Sequence, residues 1–187
     1  GCLGVCYGPV ESSSYVPVSG VGLLEGDFSA VEGWSFAIRS SGGETEVPGK
    51  IESEGRAWFQ IPRSASPGFY IAVLRRPDHP ITLEFRITAD HFPSCLATIH
   101  QDFSSAVTAE NPARIGEIVH VFLSGAPGAE AIADGVANPS DRLVPLASPL
   151  IARDTGAAEV IFSGLAPGLI GIQQADVRIK GRFPNAG

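Results

Sequence analysis

The chain of 187 residues contains no methionine, four histidines, three cysteines and a charged fraction of 18%. Each shortage excludes something. No apolar run reaches the ~18 residues that a membrane-spanning helix needs. The 13 basic residues are scattered and outnumbered by 20 acidic ones, for a net charge of −7. With no basic stripe, nucleic acid and anionic membrane surfaces are not expected partners. His79, His91, His100 and His120 form neither H-x-H nor H-x3-H, and Cys2-x3-Cys6 stands alone, so zinc has no ligand set. Phosphate loops and a nucleophile paired with a base are also missing, and no window of ten to fifteen residues keeps a helical period. The nearest helical candidate, Gly128–Val136, is short, Ala-rich and closed by Gly135.

The cysteines at 2, 6 and 95 allow three single-disulfide pairings with one thiol left over, or a buried Cys95 with unpaired N-terminal thiols. The chain opens on Gly1-Cys2 and lacks Met, which reads as a trimmed start. Cys2 would then suit a lipidated cysteine that follows a removed leader, placing the chain outside the cell or on its envelope.

What is abundant is punctuation. There are 22 glycines and 15 prolines, about a fifth of all positions, with no triplet period. Together with 44% apolar residues in many short runs, this predicts short strands joined by turns. Strands are expected at Val16–Leu24, Trp34–Arg39, Arg56–Ile61, Phe69–Arg75, Ile81–Thr88, Gly116–Gly125, Val160–Phe162 and Leu169–Ile179. Pro67-Gly68 and Pro167-Gly168 each sit between two such runs, a weak internal repeat of strands meeting at a Pro-Gly corner. Ala126–Leu150 is too long for a hairpin loop and reads as an excursion over one face. The expected fold is all-β: two small antiparallel immunoglobulin-like β-sandwich units, over 1–90 and 91–187, with one larger β-sandwich as the alternative.

Three segments carry a resemblance. They are Thr98-Ile-His-Gln-Asp-Phe-Ser-Ser105, Val107-Thr-Ala-Glu-Asn-Pro-Ala-Arg-Ile-Gly-Glu-Ile-Val-His-Val121, and Ala158-Glu-Val-Ile-Phe-Ser-Gly-Leu-Ala-Pro-Gly-Leu-Ile-Gly-Ile-Gln-Gln-Ala-Asp-Val-Arg-Ile179. In this order they resemble an uncharacterised C-terminal β-domain family of secreted proteins from soil bacteria. Two positions depart from its pattern: Ala126-Pro-Gly128 replaces a Leu-Gly-Pro loop, and Gln173 replaces an aromatic. The first half is similar, loosely, to bacterial immunoglobulin-like modules. The resemblance implies an extracytoplasmic sandwich module and no activity.

Several residue groups were weighed as sites. His100, Asp102 and Ser104 put a base, an acid and a hydroxyl within five residues, but sequence closeness does not make a triad. A turn capped by Asp102 is expected there instead. Glu117 is expected to hold Arg114 or a neighbouring strand, and His120 to face solvent from its strand. Asp134, Asn138 and Asp141 place three oxygen donors in one loop, the candidate calcium set. Trp34, Trp58 and Tyr70, with Phe69, would form a carbohydrate platform if they shared an exposed face. The expected function is therefore that of a non-enzymatic, secreted or envelope-associated module without cofactor or membrane span, acting as spacer, surface-attachment or adhesion element. Its partners would be other domains of a parent protein, or a surface polysaccharide or protein. The alternative is a carbohydrate-binding module.

Overall fold

The structure, a computed structural model, describes residues 14–25, 33–53, 56–76, 82–90, 94–126, 128–152 and 156–181. Apolar residues alternating with polar ones, cut by Gly and Pro, give twelve strands, and the described residues contain no helix. Gly128–Val136, the one helical candidate, instead makes a turn in which Val136 N–H donates to Ala133 O at 3.1 Å. No described helix is long and apolar enough to cross a membrane.

Eight strands form the first two sheets. They are β1 (Ser14–Pro17), β2 (Val21–Glu25), β3 (Ser35–Ser40), β4 (Gly43–Glu46), β5 (Gly49–Ser53), β6 (Arg56–Gln60), β7 (Gly68–Arg75) and β8 (Thr82–Asp90). One sheet runs β1-β8-β7-β3-β4 and the other β2-β6-β5. Taken as strands A′, B, C, C′, D, E, F and G, these are the B-E-D and C′-C-F-G sheets of an immunoglobulin-type sandwich. The pairing is antiparallel except at β1, which runs parallel to β8. Expectation joined β1 and β2 into one strand. The chain turns between them at Ser19, a non-glycine residue with φ of 64°.

The core of this sandwich follows from strand alternation. Phe36, Ile38, Ala72 and Leu74 face inward from one sheet, and Leu24, Ala57 and Phe59 from the other, with Val16, Val18, Val47 and Ile61 closing the space. At the usual ~25 cal/mol per Å² of apolar surface buried, such a layer supplies the main driving force for folding.

The last four strands are β9 (Ser94–Ile99), β10 (Ile118–Ser124), β11 (Ala158–Leu165) and β12 (Ile172–Ile179), in the order β11-β12-β10-β9 and antiparallel throughout. Cys95, Val119, Val121, Leu123, Ala158, Ala175, Val177 and Ile179 form its buried apolar face. Val107, Ala113, Leu150 and Ala152, all from coil segments, pack over it. Cys95 is thus a core residue, while Cys2 and Cys6 lie outside the described residues. The excursion contributes isolated bridges, among them Pro145 to Gly164 and Ala137 to Ile170.

Side chains fasten the third sheet to the first two. The buried Ser124 hydroxyl accepts the Val21 N–H at 2.6 Å and donates to Val21 O at 3.3 Å. The amide of Gln60 donates to Ser19 O at 3.2 Å and accepts Gly135 N–H at 2.7 Å. Arg63 N–H meets the Asp134 carboxylate at 3.1 Å, and its guanidinium donates to Ile132 O at 3.0 Å.

Candidate functional site

Antiparallel pairing of β9 with β10 sets Ile99 beside His120. The chain leaving β9 therefore emerges over the outer, non-core face of the third sheet. There residues 100–105 curl into a tight loop, with His100 N–H donating to Ser105 O at 3.0 Å and Phe103 N–H to His100 O at 2.9 Å. Asp102 accepts Ser104 N–H at 3.0 Å. A hydrogen bond from the Ser104 hydroxyl, and after it the one from Ser104 N–H, keep the Asp102 carboxyl below the ordinary range. The expected capped turn is present.

His100 itself reaches across the chain. Its Nδ1 lies 2.6 Å from Glu117 Oε1 and its Nε2 lies 3.1 Å from the backbone oxygen of Asn111. The second oxygen of Glu117 accepts Arg114 N–H at 2.8 Å. Glu117 N–H donates to Arg114 O at 3.0 Å, closing a turn that needs Gly116 at φ 92°. Glu117 thus holds Arg114, as expected, and His100 as well. The Arg114 N–H is the leading cause that keeps the Glu117 carboxyl low, and the Glu117 hydrogen bond is the leading cause that raises His100.

A cleft of about 700 Å³ opens here, lined by His100, Asp102, Ser104, Asn111, Arg114 and Glu117 among others. Both His100 nitrogens and both Glu117 oxygens are engaged, and the Ser104 hydroxyl is turned to the Asp102 carboxylate of its own loop, with Ser105 Oγ at 3.5 Å.

His120 corrects an expectation. It sits on the non-core face but is only 9% exposed, because the 100–105 loop folds over it. Phe103 stacks on its ring at a centroid distance of 4.1 Å and 12° between planes. Its Nδ1 meets Asp176 Oδ1 at 2.7 Å, and its Nε2 meets Gln101 O at 3.2 Å. Gln174 also donates to Asp176 Oδ1 at 2.7 Å.

The other expected site residues scatter. Asn138 is buried, 5% exposed, and its amide donates to Ala166 O at 2.9 Å and Ile172 O at 2.7 Å. Its backbone accepts Gly168 N–H and donates to Leu169 O, both at 3.0 Å. Asn138 is therefore tied to the Pro167-Gly168 corner. Asp134 caps Arg63 N–H, and Asp141 is exposed. Among the described residues no group of three His, Cys, Asp or Glu is placed to hold a metal.

The corner is a β-turn in which Leu169 N–H donates to Ala166 O at 3.2 Å and Gly168 has φ of 72°, the left-handed residue of a type II turn. At Pro67-Gly68 the glycine instead opens β7 with φ of 157°. Trp34 and Tyr70 pack partly buried against the first core, and the Tyr70 hydroxyl donates to Ser66 O at 2.7 Å. Trp58 lies between Ala57 and Phe59, two core residues, and so points to the other face of its sheet, flanked by Leu23 and Lys50. Phe69 is exposed.

No protein-family model matches the chain, and no curated protein matches it. Asn111–Glu117 builds the cleft, and Gly164–Gly168 builds the corner. The pairing of His100 with Glu117, seventeen positions apart, escaped the sequence reading because β9 was not foreseen; with β9 in hand, its register against β10 brings the two together.

Proposed function

We infer that the chain is a non-enzymatic, extracytoplasmic β-sandwich module serving as a spacer, surface-attachment or adhesion element of a larger secreted protein. The observation that carries this reading is the fastening of β2 to β10 through Ser124, seconded by Gln60 and Arg63. A spacer must transmit position. A buried hydroxyl that both accepts from and donates to one backbone residue resists hinging, because breaking it leaves buried polar groups without partners. The engagement of His100, Glu117 and Asp102 with backbone and with one another supports a role without acid–base chemistry. Partners on this reading are neighbouring domains of the parent protein, or a surface polysaccharide or protein.

The test is backbone nitrogen relaxation on the whole chain. Amides of β3 and β7 and those of β10 and β12 are expected to report one common tumbling time. Two distinct times would sink the rigid-spacer reading. The carbohydrate-binding alternative predicts that the chain is retained by an insoluble polysaccharide and that Trp58→Ala or Tyr70→Ala releases it.

A further inference from the structure

We propose that the His100–Ser105 loop is a proton-operated latch, seated on the third sheet while His100 is an imidazolium and released when His100 becomes neutral. The argument is one of hydrogen-bond supply. A neutral imidazole offers one donor and one acceptor, whereas the imidazolium offers two donors. The two nitrogens of His100 face a carboxylate oxygen and a backbone carbonyl oxygen, at 2.6 and 3.1 Å, and both of these only accept. Only the charged ring satisfies both. Loss of the proton turns a lone pair toward an oxygen, and the bond to one of the two acceptors is lost.

The loop has few other attachments to its seat. The bonds within it, from His100 to Ser105 and from Phe103 to His100, preserve its shape but do not fasten it to the sheet. Apart from His100, its fastenings are Gln101 O to His120 Nε2 at 3.2 Å, Gln101 Oε1 to Ile118 N–H at 3.3 Å, Ser105 Oγ to the Asn111 amide at 3.0 Å, a long Gln101 N–H contact to Glu117 at 3.5 Å, and the stacking of Phe103 on His120. The His100–Glu117 contact is the shortest of the set. Phe103, 59% exposed with φ of 58°, holds a backbone conformation that non-glycine residues adopt at a cost.

The charged and titratable groups facing the latch are Glu117 ahead of β10, Asp102 within the loop, Arg114 across the cleft, and the His120–Asp176 pair on β10 and β12 beneath it. Glu117, the leading influence, and Asp102 both raise His100, while burial opposes them. A raised histidine stabilises the seated loop fully below its free value of about 6.5, and that stabilisation is lost as pH rises through the raised value. Glu117, held low, contributes in the opposite sense: its share is present above about 4.3 and is lost as pH falls through the lowered value. The latch is therefore closed in mildly acidic solution and opens as pH rises through the raised His100 value. Opening uncovers the His120–Asp176–Gln174 row and dismantles the cleft, so the surface this module presents changes with pH.

The experiment is a histidine-ring proton titration of the whole chain from pH 5 to 9, with hydrogen-exchange protection of the Gln101 and Ile118 amides, which bond across the seat, corrected for intrinsic exchange. His100 is expected to titrate above about 6.5. Protection of Ile118 should fall over the same range, tenfold for each pH unit by which the seated His100 midpoint exceeds the free value of about 6.5. Glu117→Gln should lower both midpoints together, and His100→Gln should remove the step in protection that follows the His100 titration, with the other strand amides showing that each variant is folded. Protection that stays flat while His100 titrates, or a wild-type His100 midpoint at or below the free value, overturns the latch; the wild-type measurement alone decides this if a variant fails to fold.

Discussion

The two halves of the molecule bury an apolar sheet face in different ways. In the first, five strands face three across Phe36, Ile38, Leu74, Leu24 and Phe59, and both layers satisfy their backbones by ladder pairing. In the second, four strands are covered by coil carrying Val107, Ala113, Leu150 and Ala152. Coil has no ladder, so its polar backbone must find other partners. Side chains supply them: Asn138 to Ala166 O and Ile172 O, Glu117 to Arg114 N–H, Ser163 to Leu150 N–H, Thr108 to Asn111 N–H and Gln173 to Ala126 N–H. Where a second sheet is lacking, individual polar residues take over its role, and each becomes harder to replace.

Cutting the chain tests the comparison most severely. Residues 94–187 expressed alone keep all four strands of the third sheet, and are expected to be soluble and to unfold cooperatively in a denaturant titration. Aggregation would mean that the two halves share a core. Phe59→Ala should cost about 3–5 kcal/mol, the range for deleting a buried phenylalanine side chain, read from the same titration on the whole chain. The first half, held by apolar layers, should lose the most from such a change. In the second half the sensitive position should be polar. Asn138→Ala is expected to cost ~1–3 kcal/mol through buried groups deprived of a partner. An unchanged midpoint there would break the comparison.

Gly168→Val should cost a similar ~1–3 kcal/mol for a different reason. Nothing lies within 4 Å of a Cβ added at Gly168, so the penalty is the left-handed backbone alone. Leu169→Ala should have the smallest effect, within about 0.5 kcal/mol. The expected strand starts at Leu169, yet Leu169 is 41% exposed and β12 begins only at Ile172. The pair of substitutions separates the turn's backbone from its side chain.

The sequence legibly marked those strands written as short apolar runs. Trp34–Arg39, Phe69–Arg75 and Gly116–Gly125 became β3, β7 and β10 within a residue or two. The missed strands lack that pattern. β4 reads Gly-Glu-Thr-Glu, exposed along its whole length at a sheet edge. It is a strand because β3 offers a ladder from Ala37 to Ser40, not because its residues demand one. β5 and β9 are short and likewise defined by their neighbours. The candidate site was legible as residue types but not as contacts. Asp102 as a cap and Glu117 as a tie to Arg114 follow from local spacing, whereas burial of His120 requires a loop to fold over it.

By itself, then, the sequence determined the class of structure. Short apolar runs punctuated by Gly and Pro favour strands and turns, because both signals act over a few bonds, yet the same Pro-Gly pair makes a left-handed corner at Gly168 and opens a strand at Gly68. Only the tertiary structure decided that Ser124 would grip Val21 from 103 positions away, that Asn138 would hold the corner rather than stay an exposed loop donor, and that His100 would face two acceptors. These outcomes depend on which surfaces meet when the sheets pack, and a polar side chain's role is set by the partner it finds there, which local sequence does not encode.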